Sequence, residues 1–171
     1  MARLVHDMVQ AAYLEGEFVL RSGRRSNYYF DKYRFETQPS ILRRVAARLA
    51  RMVPGPTERL AAPELGAVLL GGAVSLELNL PLVLVRKRAK DYGTQNALEG
   101  VLLPGEQVTV IEDVLTTGGA AIDAIETLRA AGARVLKLIA VLDREEGAAE
   151  NLTRLGVEFE PLLRRGDLLP G

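Results

Sequence analysis

The feature that most constrains the fold is the alternation of short apolar segments with helical ones between residues 60 and 142. The pattern predicts strands over residues 60–62, 82–85, 107–111 and 135–142, with helices over residues 66–78 and 119–131. Strands that alternate with helices form βαβ units, so we expect an α/β fold with a central, mostly parallel sheet flanked by helices. Ligands of such sheets bind outside the carboxyl ends of the strands, where the candidate site residues are therefore expected.

The N-terminal segment departs from this alternation. Apolar residues at helical spacing predict a helix over residues 2–14, and two short strands are expected over residues 17–20 and 27–30. A second helix is predicted over residues 38–52, with Pro39 suited to its first turn. No repeat, low-complexity stretch or linker interrupts the 171 residues, which predicts a single domain over residues 1–171.

The composition excludes several classes of site. There is no cysteine and only one histidine, which excludes a disulfide framework, a thiolate zinc site and a thiol nucleophile. Lys+Arg and Asp+Glu both total 22, so no overall field favours a nucleic acid or a membrane surface as partner. The sequence contains no signal-peptide pattern and no apolar run of membrane-spanning length, and a cytoplasmic location is expected.

Residues 108–120, VTVIEDVLTTGGA, carry the most specific chemical pattern. Two acids, Glu112 and Asp113, are expected at the carboxyl end of a buried strand, followed by a hydroxyl- and glycine-rich turn that opens a helix. The free N–H groups of such a turn bind phosphate. The motif is neither a Walker A loop nor a dinucleotide fingerprint, because the Gly-Lys-Ser/Thr and G-x-G-x-x-G patterns are absent.

The motif allows two other interpretations. A plain strand–turn–helix with two solvated acids would be the default for an isolated TTGG. A paired-carboxylate hydrolase is disfavoured, because adjacent strand residues point to opposite faces and do not flank one bond. Acids that accept hydrogen bonds from sugar hydroxyls, beside a turn that binds phosphate, favour a phosphorylated ribose as the ligand.

A cluster of cations forms the second pattern, VRKRAKDYGTQNALEG over residues 85–100. Four of five consecutive positions are basic, and the segment leaves the carboxyl end of a predicted strand. A solvated surface run is the common explanation for such a cluster. A long polar loop that closes over a site could instead supply cations to a leaving diphosphate and exclude water.

The motif at residues 108–120 resembles the signature of the type I phosphoribosyltransferases, which bind 5-phosphoribosyl 1-diphosphate (PRPP). The resemblance implies that Glu112 and Asp113 meet the ribose 2′- and 3′-hydroxyls. It also implies that the following residues contact PRPP around its 5′-phosphate: Val114, Leu115, Thr116, Thr117, Gly118, Gly119 and Ala120. The resemblance extends over about residues 14–155, and His6 lies outside it.

The basic segment resembles the catalytic loop of the orotate phosphoribosyltransferases within that family, in which R-K-x-x-K-D-[HY]-G recurs. The resemblance implies PRPP contacts for Arg86, Lys87, Lys90 and Tyr92. It assigns catalytic roles to the three cations and Asp113, and it implies a homodimer in which each loop reaches the neighbouring subunit's site. Mg²⁺ is implied as a cofactor held mainly by PRPP and water, without direct protein ligands.

Two further stretches resemble the orotate-binding parts of that family. LRSGRRSNYYFDKYRF, over residues 20–35, resembles the base-binding hood, to which about residues 1–35 contribute. Arg21 stands where the family commonly has Lys and is implied to contact PRPP, and Asn27 stands where Pro is common. Tyr29 and Phe30 occupy the aromatic positions that line the base site. Without the resemblance, an ordinary hairpin with exposed arginines would be expected here.

The last two segments concern the orotate carboxylate and the diphosphate. In VLDREEG, over residues 141–147, Arg144 matches the arginine that holds the orotate carboxylate, and Thr116 matches the threonine that contacts the base. A charged turn is the plain alternative for this stretch. Residues 62–66 lie where the family places its diphosphate turn, and Gly66 would allow an anion to approach the backbone closely.

The resemblance implies transfer of the phosphoribosyl group from PRPP to orotate, which yields orotidine 5′-monophosphate and diphosphate in de novo pyrimidine (UMP) biosynthesis. Two alternatives stay open on the sequence. One is a phosphoribosyltransferase for a purine, although a purine has no carboxylate for Arg144 to bind. The other is a non-catalytic regulatory protein that senses PRPP, although the basic loop is intact and no DNA-binding segment is present.

Overall fold

The computed structural model describes residues 1–19, 23, 25–87 and 97–168. In chain order the helices and strands are α1 (Ala2–Ala12), β1 (Tyr13–Val19), β2 (Arg25–Phe30), α2 (Tyr33–Glu36), α3 (Pro39–Ala50), β3 (Arg59–Pro63), α4 (Ala67–Leu78), β4 (Leu82–Val85), β5 (Leu98–Glu99), β6 (Gln107–Leu115), α5 (Gly119–Ala130), β7 (Arg134–Asp143), α6 (Ala148–Arg154), β8 (Glu158–Arg164) and α7 (Arg165–Leu168).

A six-stranded sheet with the order β5-β4-β3-β6-β7-β8 forms the centre of the molecule. The pairs β3–β4, β3–β6, β6–β7 and β7–β8 are parallel, and only the short edge strand β5 runs antiparallel to its neighbour. The predicted α/β fold with a mostly parallel sheet is confirmed. Strands β5 and β8 at the two edges were not predicted, because neither has the continuous apolar run that marks a central strand.

Two apolar clusters cover the two faces of this sheet. Alternation along β7 sends Ile139 and Val141 to the cluster that contains α1, α3 and α4, and it sends Leu138 and Ala140 to the cluster that contains α5 and α6. The large buried side chains of both clusters are aliphatic or phenyl, so apolar burial on both faces fixes the strand register.

Strand β6 is longer than the sequence predicted, and this corrects the position of the acid pair. The predicted strand ended at Ile111, whereas β6 continues to Leu115. Its ladder with β3 stops at Val110, but β7 continues to pair with it as far as the Leu115–Asp143 pair. Glu112 and Asp113 therefore lie inside the strand, which stays paired with β7 on one edge after its ladder with β3 has ended on the other.

The N-terminal segment forms a separate two-stranded antiparallel sheet from β1 and β2. Helix α1 ends at Ala12, two residues earlier than predicted, and β1 begins at Tyr13. Helices α1 and α2 pack beside α3 on one face of the central sheet, which connects the hairpin to the core. No helix in the described part of the chain is long and apolar enough to cross a membrane.

Candidate active site

A cleft of about 250 Å³ opens at the carboxyl ends of the central strands. It is lined by Lys32 and Tyr33, the turn from Pro63 to Gly66, Lys87, the end of β6 and the first residues of α5. From the predicted PRPP site, the cleft brings together Lys87, Glu112, Asp113, Val114, Leu115, Thr116, Gly118, Gly119 and Ala120. The carboxyl edge of the sheet thus collects most of the residues that the sequence proposed for PRPP.

The turn between β6 and α5 presents the N-terminus of a twelve-residue helix to this cleft. No side chain caps that N-terminus, and its first turn contains no acid. Gly118 has a φ of 80°, and a Cβ at this position would lie 3.4 Å from the Cβ of Ala148. Glycine therefore allows both the backbone turn and the approach of α6, and the N–H groups of α5 are left for an anion.

The two acids of β6 are buried rather than solvated. Main-chain N–H groups hold both carboxylates, because the Asp113 N–H donates to Glu112 Oε1 at 3.1 Å and the Val114 N–H donates to Asp113 Oδ1. Burial, reinforced by the charge of Asp113, raises the pKa of Glu112 to about 8. Burial therefore favours the protonated form of Glu112, whereas Asp113 has a cationic partner.

Lys32 is that partner, and the sequence analysis missed it. Its ammonium forms an ion pair with Asp113 Oδ2 at the edge of the cleft. Burial alone would lower the pKa of Lys32, but the charge of Asp113 and the hydrogen bond to it outweigh burial and raise that pKa. The available signal was its position in FDKYRF, where one cation stands between a strand and a short helix.

Glu36 is a second residue that the sequence analysis missed. It ends α2, its side chain is 0% exposed, and neither carboxyl oxygen has a hydrogen-bond partner in the described part of the chain. Burial, together with the charge of Asp113, raises the pKa of Glu36 to about 8. The Lys32–Asp113 pair therefore lies beside two carboxyl groups, Glu36 and Glu112, whose pKa values are both raised by burial.

The turn after β3, predicted to face the diphosphate, lies directly against the acid pair. A Cβ at Gly66 would overlap the carboxylate of Asp113 and would lie 2.5 Å from Lys32 Nζ. Glu64 in the same turn accepts a hydrogen bond from the Lys87 N–H at 2.9 Å. Only glycine leaves room at position 66 for these charged groups of the protein itself.

The basic loop is described only at its two ends. The Arg86 N–H donates to the Ala97 carbonyl at 2.8 Å, so the segment leaves and rejoins the fold at one place beside the Glu64 turn. The Arg86 side chain pairs with Glu99 at 3.5 Å. Lys90 and Tyr92 lie outside the described residues, as does Arg21 of the hood.

The expected base-binding residues are not all brought together. Tyr29 and Phe30 are neighbours on β2, so their rings point to opposite faces of the hairpin. Phe30 packs against Phe35 of the core at a centroid distance of 6.0 Å, whereas Tyr29 is exposed beside Phe18. Tyr29 is the more exposed of the two rings, and the role of both in a base site stays a prediction.

Arg144 directly follows β7, next to the end of β6. Its N–H donates to the Leu115 carbonyl at 2.9 Å, and its guanidinium pairs with Glu146 at 3.1 Å. The backbone thus holds Arg144 beside Thr116, as the orotate assignment requires, although neither Arg144 nor Tyr29 lines the cleft itself. A carboxylate ligand would have to compete with Glu146 for the guanidinium.

Comparison with known proteins places these features in context. Residues 36–154 match the model of the phosphoribosyl transferase domain. The orotate phosphoribosyltransferase of Natronomonas pharaonis is 51% identical over 154 residues, which cover 90% of this chain and 88% of the relative.

Solved structures agree with the sequence relatives. The crystal structure of orotate phosphoribosyltransferase from Aeropyrum pernix superposes with a TM-score of 0.84 and 34% identity, over 98% of this chain and 95% of that one. The Mycobacterium tuberculosis orotate phosphoribosyltransferase in complex with PRPP superposes with a TM-score of 0.77 and 26% identity, over 98% and 97% of the two chains. The similarity therefore extends over almost the full length of each structure.

Proposed function

The chain belongs to the orotate phosphoribosyltransferases, and on that premise we propose that its cleft binds PRPP and positions it for transfer to orotate. The products are orotidine 5′-monophosphate, in the UMP branch of pyrimidine biosynthesis, and diphosphate. The observation that carries the proposal is the convergence of the acid pair, the uncapped N-terminus of α5 and Lys87 in one cleft.

The parts of PRPP divide among these groups by charge. The 5′-phosphate binds the N–H groups at the start of α5 and the hydroxyls of Thr116 and Thr117, where no acidic side chain competes in the first helical turn. The ribose hydroxyls donate to Glu112 and Asp113, the adjacent acids of β6, where the Asp113 N–H donates to Glu112 Oε1 at 3.1 Å. Neutral Glu112 lowers the cost of burying two acids beside a phosphorylated ligand.

The diphosphate faces the turn at Gly66 and the start of the basic loop. Lys87 lines the cleft, and its N–H is fixed by Glu64 of that turn. Arg86 and Lys90 complete the cationic set once the loop closes. Arg21 and Tyr92 are proposed as further PRPP contacts.

Mg²⁺ is proposed as the cofactor. No group of three or more acidic or histidine side chains in the described ranges could hold a metal ion. Mg²⁺ carried on diphosphate oxygens and water needs no such group. The ion would neutralise charge on the leaving diphosphate.

The chemical step needs little covalent work from the protein. The C1–O bond breaks with its electron pair passing to the diphosphate oxygen. A ring nitrogen of orotate forms the new bond to C1, and its proton passes to the departing diphosphate. The cleft holds the ribose by its hydroxyls on one side and by its 5′-phosphate on the other, which orients C1 toward the base. Asp113 stabilises the positive ribose that develops, and the cations stabilise the departing diphosphate.

For the base, Arg144 is proposed to bind the orotate carboxylate in a bidentate pair, with Thr116 beside it. The Arg144 N–H donates to the Leu115 carbonyl, so Arg144 and Thr116 follow the ends of the neighbouring strands β7 and β6. Tyr29 supplies an exposed ring from the hairpin, whereas Phe30 packs in the core.

A homodimer with loops shared between subunits is also proposed. Helix α4 has one charged residue, Glu77, among mostly apolar ones, and Leu69 and Leu76 on its outer face are 44% and 86% exposed. A helix of this composition is usually buried. We therefore propose that a second subunit packs against its exposed face. Gly66 is the N-cap of the same helix, which would bring the dimer interface close to the cleft.

The test is loss of orotate absorbance when the purified protein meets PRPP and Mg²⁺, with adenine and hypoxanthine assayed in parallel. We expect turnover with orotate and none with the purines. Purine turnover would indicate a transferase for a different base. Calorimetric binding of PRPP without turnover of any base would indicate a PRPP sensor.

A further inference from the structure

Lys32 and Asp113 together occupy the place where an anion would meet the Gly66 turn. The Asp113 carboxylate lies against the Cα of Gly66, and Lys32 Nζ would be 2.5 Å from a Cβ there. Gly66 is the N-cap of the twelve-residue helix α4, which has neither an acid in its first turn nor a side-chain cap. The positive end of α4 thus has a carboxylate of the protein itself where a ligand anion would bind.

The same carboxylate is required elsewhere during turnover. Asp113 must face the ribose hydroxyls, and its Oδ2 is engaged by Lys32 in the structure. A diphosphate at the Gly66 turn would repel Asp113 and attract Lys32. The two charged residues therefore have reason to part when PRPP enters.

We propose that Lys32 is a positioning residue that exchanges partners, holding Asp113 in the free protein and passing to the diphosphate when PRPP binds. This inference rests on the proposed function. The exchange releases Asp113 to the ribose hydroxyls, and it adds to the cleft a cation that the loop motif does not contain. Lys32 keeps 28% of its side chain exposed, which leaves room for its ammonium to move, whereas Asp113 is almost fully buried.

Glu36 keeps Lys32 available for this exchange. Glu36 lies one helical turn after Lys32. The charge of Lys32 opposes the rise in the pKa of Glu36, but the two side chains form no hydrogen bond. A charged carboxylate there would compete with diphosphate for the ammonium. A buried carboxyl group that keeps its proton does not compete.

Calorimetric titration with three probes separates the roles of Lys32. The probes are PRPP, inorganic diphosphate and ribose 5-phosphate, each with Mg²⁺. For Lys32→Gln we expect affinity for PRPP and for diphosphate to fall about tenfold or more, because a charge-assisted contact is lost. Affinity for ribose 5-phosphate should stay unchanged or rise, because Asp113 is freed. Lys32→Arg should recover most of the diphosphate affinity.

Lys137→Gln is the matched control. Lys137 is also a buried lysine in carboxylate ion pairs, with Glu158 at 3.0 Å and Glu160 at 2.5 Å, but it is not among the residues that line the cleft. Its substitution should leave all three affinities unchanged. If Lys32→Gln lowers the affinity for ribose 5-phosphate as much as the affinity for diphosphate, Lys32 only positions Asp113, and the proposal fails. It also fails if no affinity changes.

A structure of the unaltered protein with Mg²⁺ and diphosphate tests the exchange without any variant. Lys32 Nζ should contact a diphosphate oxygen and lie beyond ion-pair distance, about 4 Å, from Asp113. An intact Lys32–Asp113 pair would overturn the proposal. Failure of the proposed function is a separate result, because it appears as absent orotate turnover by the unaltered protein.

Discussion

At the scale of single residues, Glu36 is the clearest source of pH-dependent stability. Its pKa is about 8 in the folded protein against an ordinary value of 4.5, with burial as the main cause and the charges of Asp113 and Asp31 in support, against Lys32. The folded protein therefore holds a proton that the unfolded chain releases. Stability from this group is lost as the pH rises from about 4.5 to about 8, and it is constant above that range.

Glu36→Gln removes this titration, because an amide does not ionise. Relative to the unaltered protein, the melting temperature of Glu36→Gln should rise with pH between 5 and 8, by at least about 3 °C across the range. Thermal unfolding at several pH values measures this difference. Glu126→Gln, at an exposed position on α5, is the control and should give a difference independent of pH. A pH-independent difference for Glu36→Gln would show that Glu36 is charged in the fold.

Gly66→Ala tests the close approach at the turn. The added methyl would overlap the Asp113 carboxylate and crowd Lys32, so PRPP affinity should fall at least tenfold while the protein still folds. Gly55→Ala, in the loop between α3 and β3, is the control, because its Cβ would meet nothing within 4 Å. It should leave affinity unchanged and stabilise the protein slightly. Calorimetry and thermal unfolding measure both effects, and equal PRPP affinity in the two variants would contradict the account.

The residue scale also shows the limits of sequence analysis. Glu112, Asp113 and the TTGG turn were found because one contiguous motif carries their chemistry. Lys32 and Glu36 were missed because their surroundings are formed by residues distant in sequence. Lys32 and its partner Asp113 are 81 residues apart, and no local pattern predicts that contact. The burial that raises the pKa of Glu36 is likewise a property of the assembled core.

At the scale of elements, most central strands and helices could be predicted, and their exact ends could not. Strand β4 and helix α5 follow their apolar patterns closely. Strand β6 extends beyond its prediction because the partner strand β7 continues the hydrogen-bond ladder past two acids that have low strand propensity. Tyr29 and Phe30 were assigned together from a motif, and alternation along β2 places their side chains on opposite faces of the hairpin.

The basic loop is the element whose contribution is mainly kinetic. Its ends meet at the Arg86–Ala97 hydrogen bond, and its cations are proposed to act when the diphosphate departs. Lys90→Ala should therefore lower kcat about a hundredfold or more, while affinity for PRPP changes by less than about threefold. Steady-state kinetics and calorimetry measure the two effects. Arg154→Ala, on the exposed surface of α6, should change neither, and equal losses in kcat and affinity would remove the transition-state role of the loop.

At the scale of the whole molecule, the proposed dimer makes each active site depend on two chains. Leu76→Lys on the outer face of α4 should convert a dimer into a monomer, because a charge replaces an apolar side chain at the interface. Light scattering after size-exclusion chromatography measures the mass. A dimer that survives substitution at both Leu69 and Leu76 would place the interface on another surface.

Loop sharing predicts complementation between inactive variants. Lys90→Ala and Asp113→Asn should each be nearly inactive alone. After mixing and exchange of subunits, about a quarter of the unaltered activity should return, because half of the dimers are mixed and one of their two sites is intact. The orotate absorbance assay measures the recovery. No recovery despite proven subunit exchange would mean that each loop serves its own chain.

The central claim is that PRPP binds at the carboxyl edge of the sheet, between the N-terminus of α5 and the Gly66 turn. A crystal structure of the protein with PRPP and Mg²⁺ tests it most directly. The account predicts the 5′-phosphate on the N–H groups of residues 116–120, the ribose hydroxyls on Glu112 and Asp113, and the diphosphate at Gly66. PRPP bound elsewhere, or with its 5′-phosphate at Gly66 and its diphosphate at α5, would contradict the account.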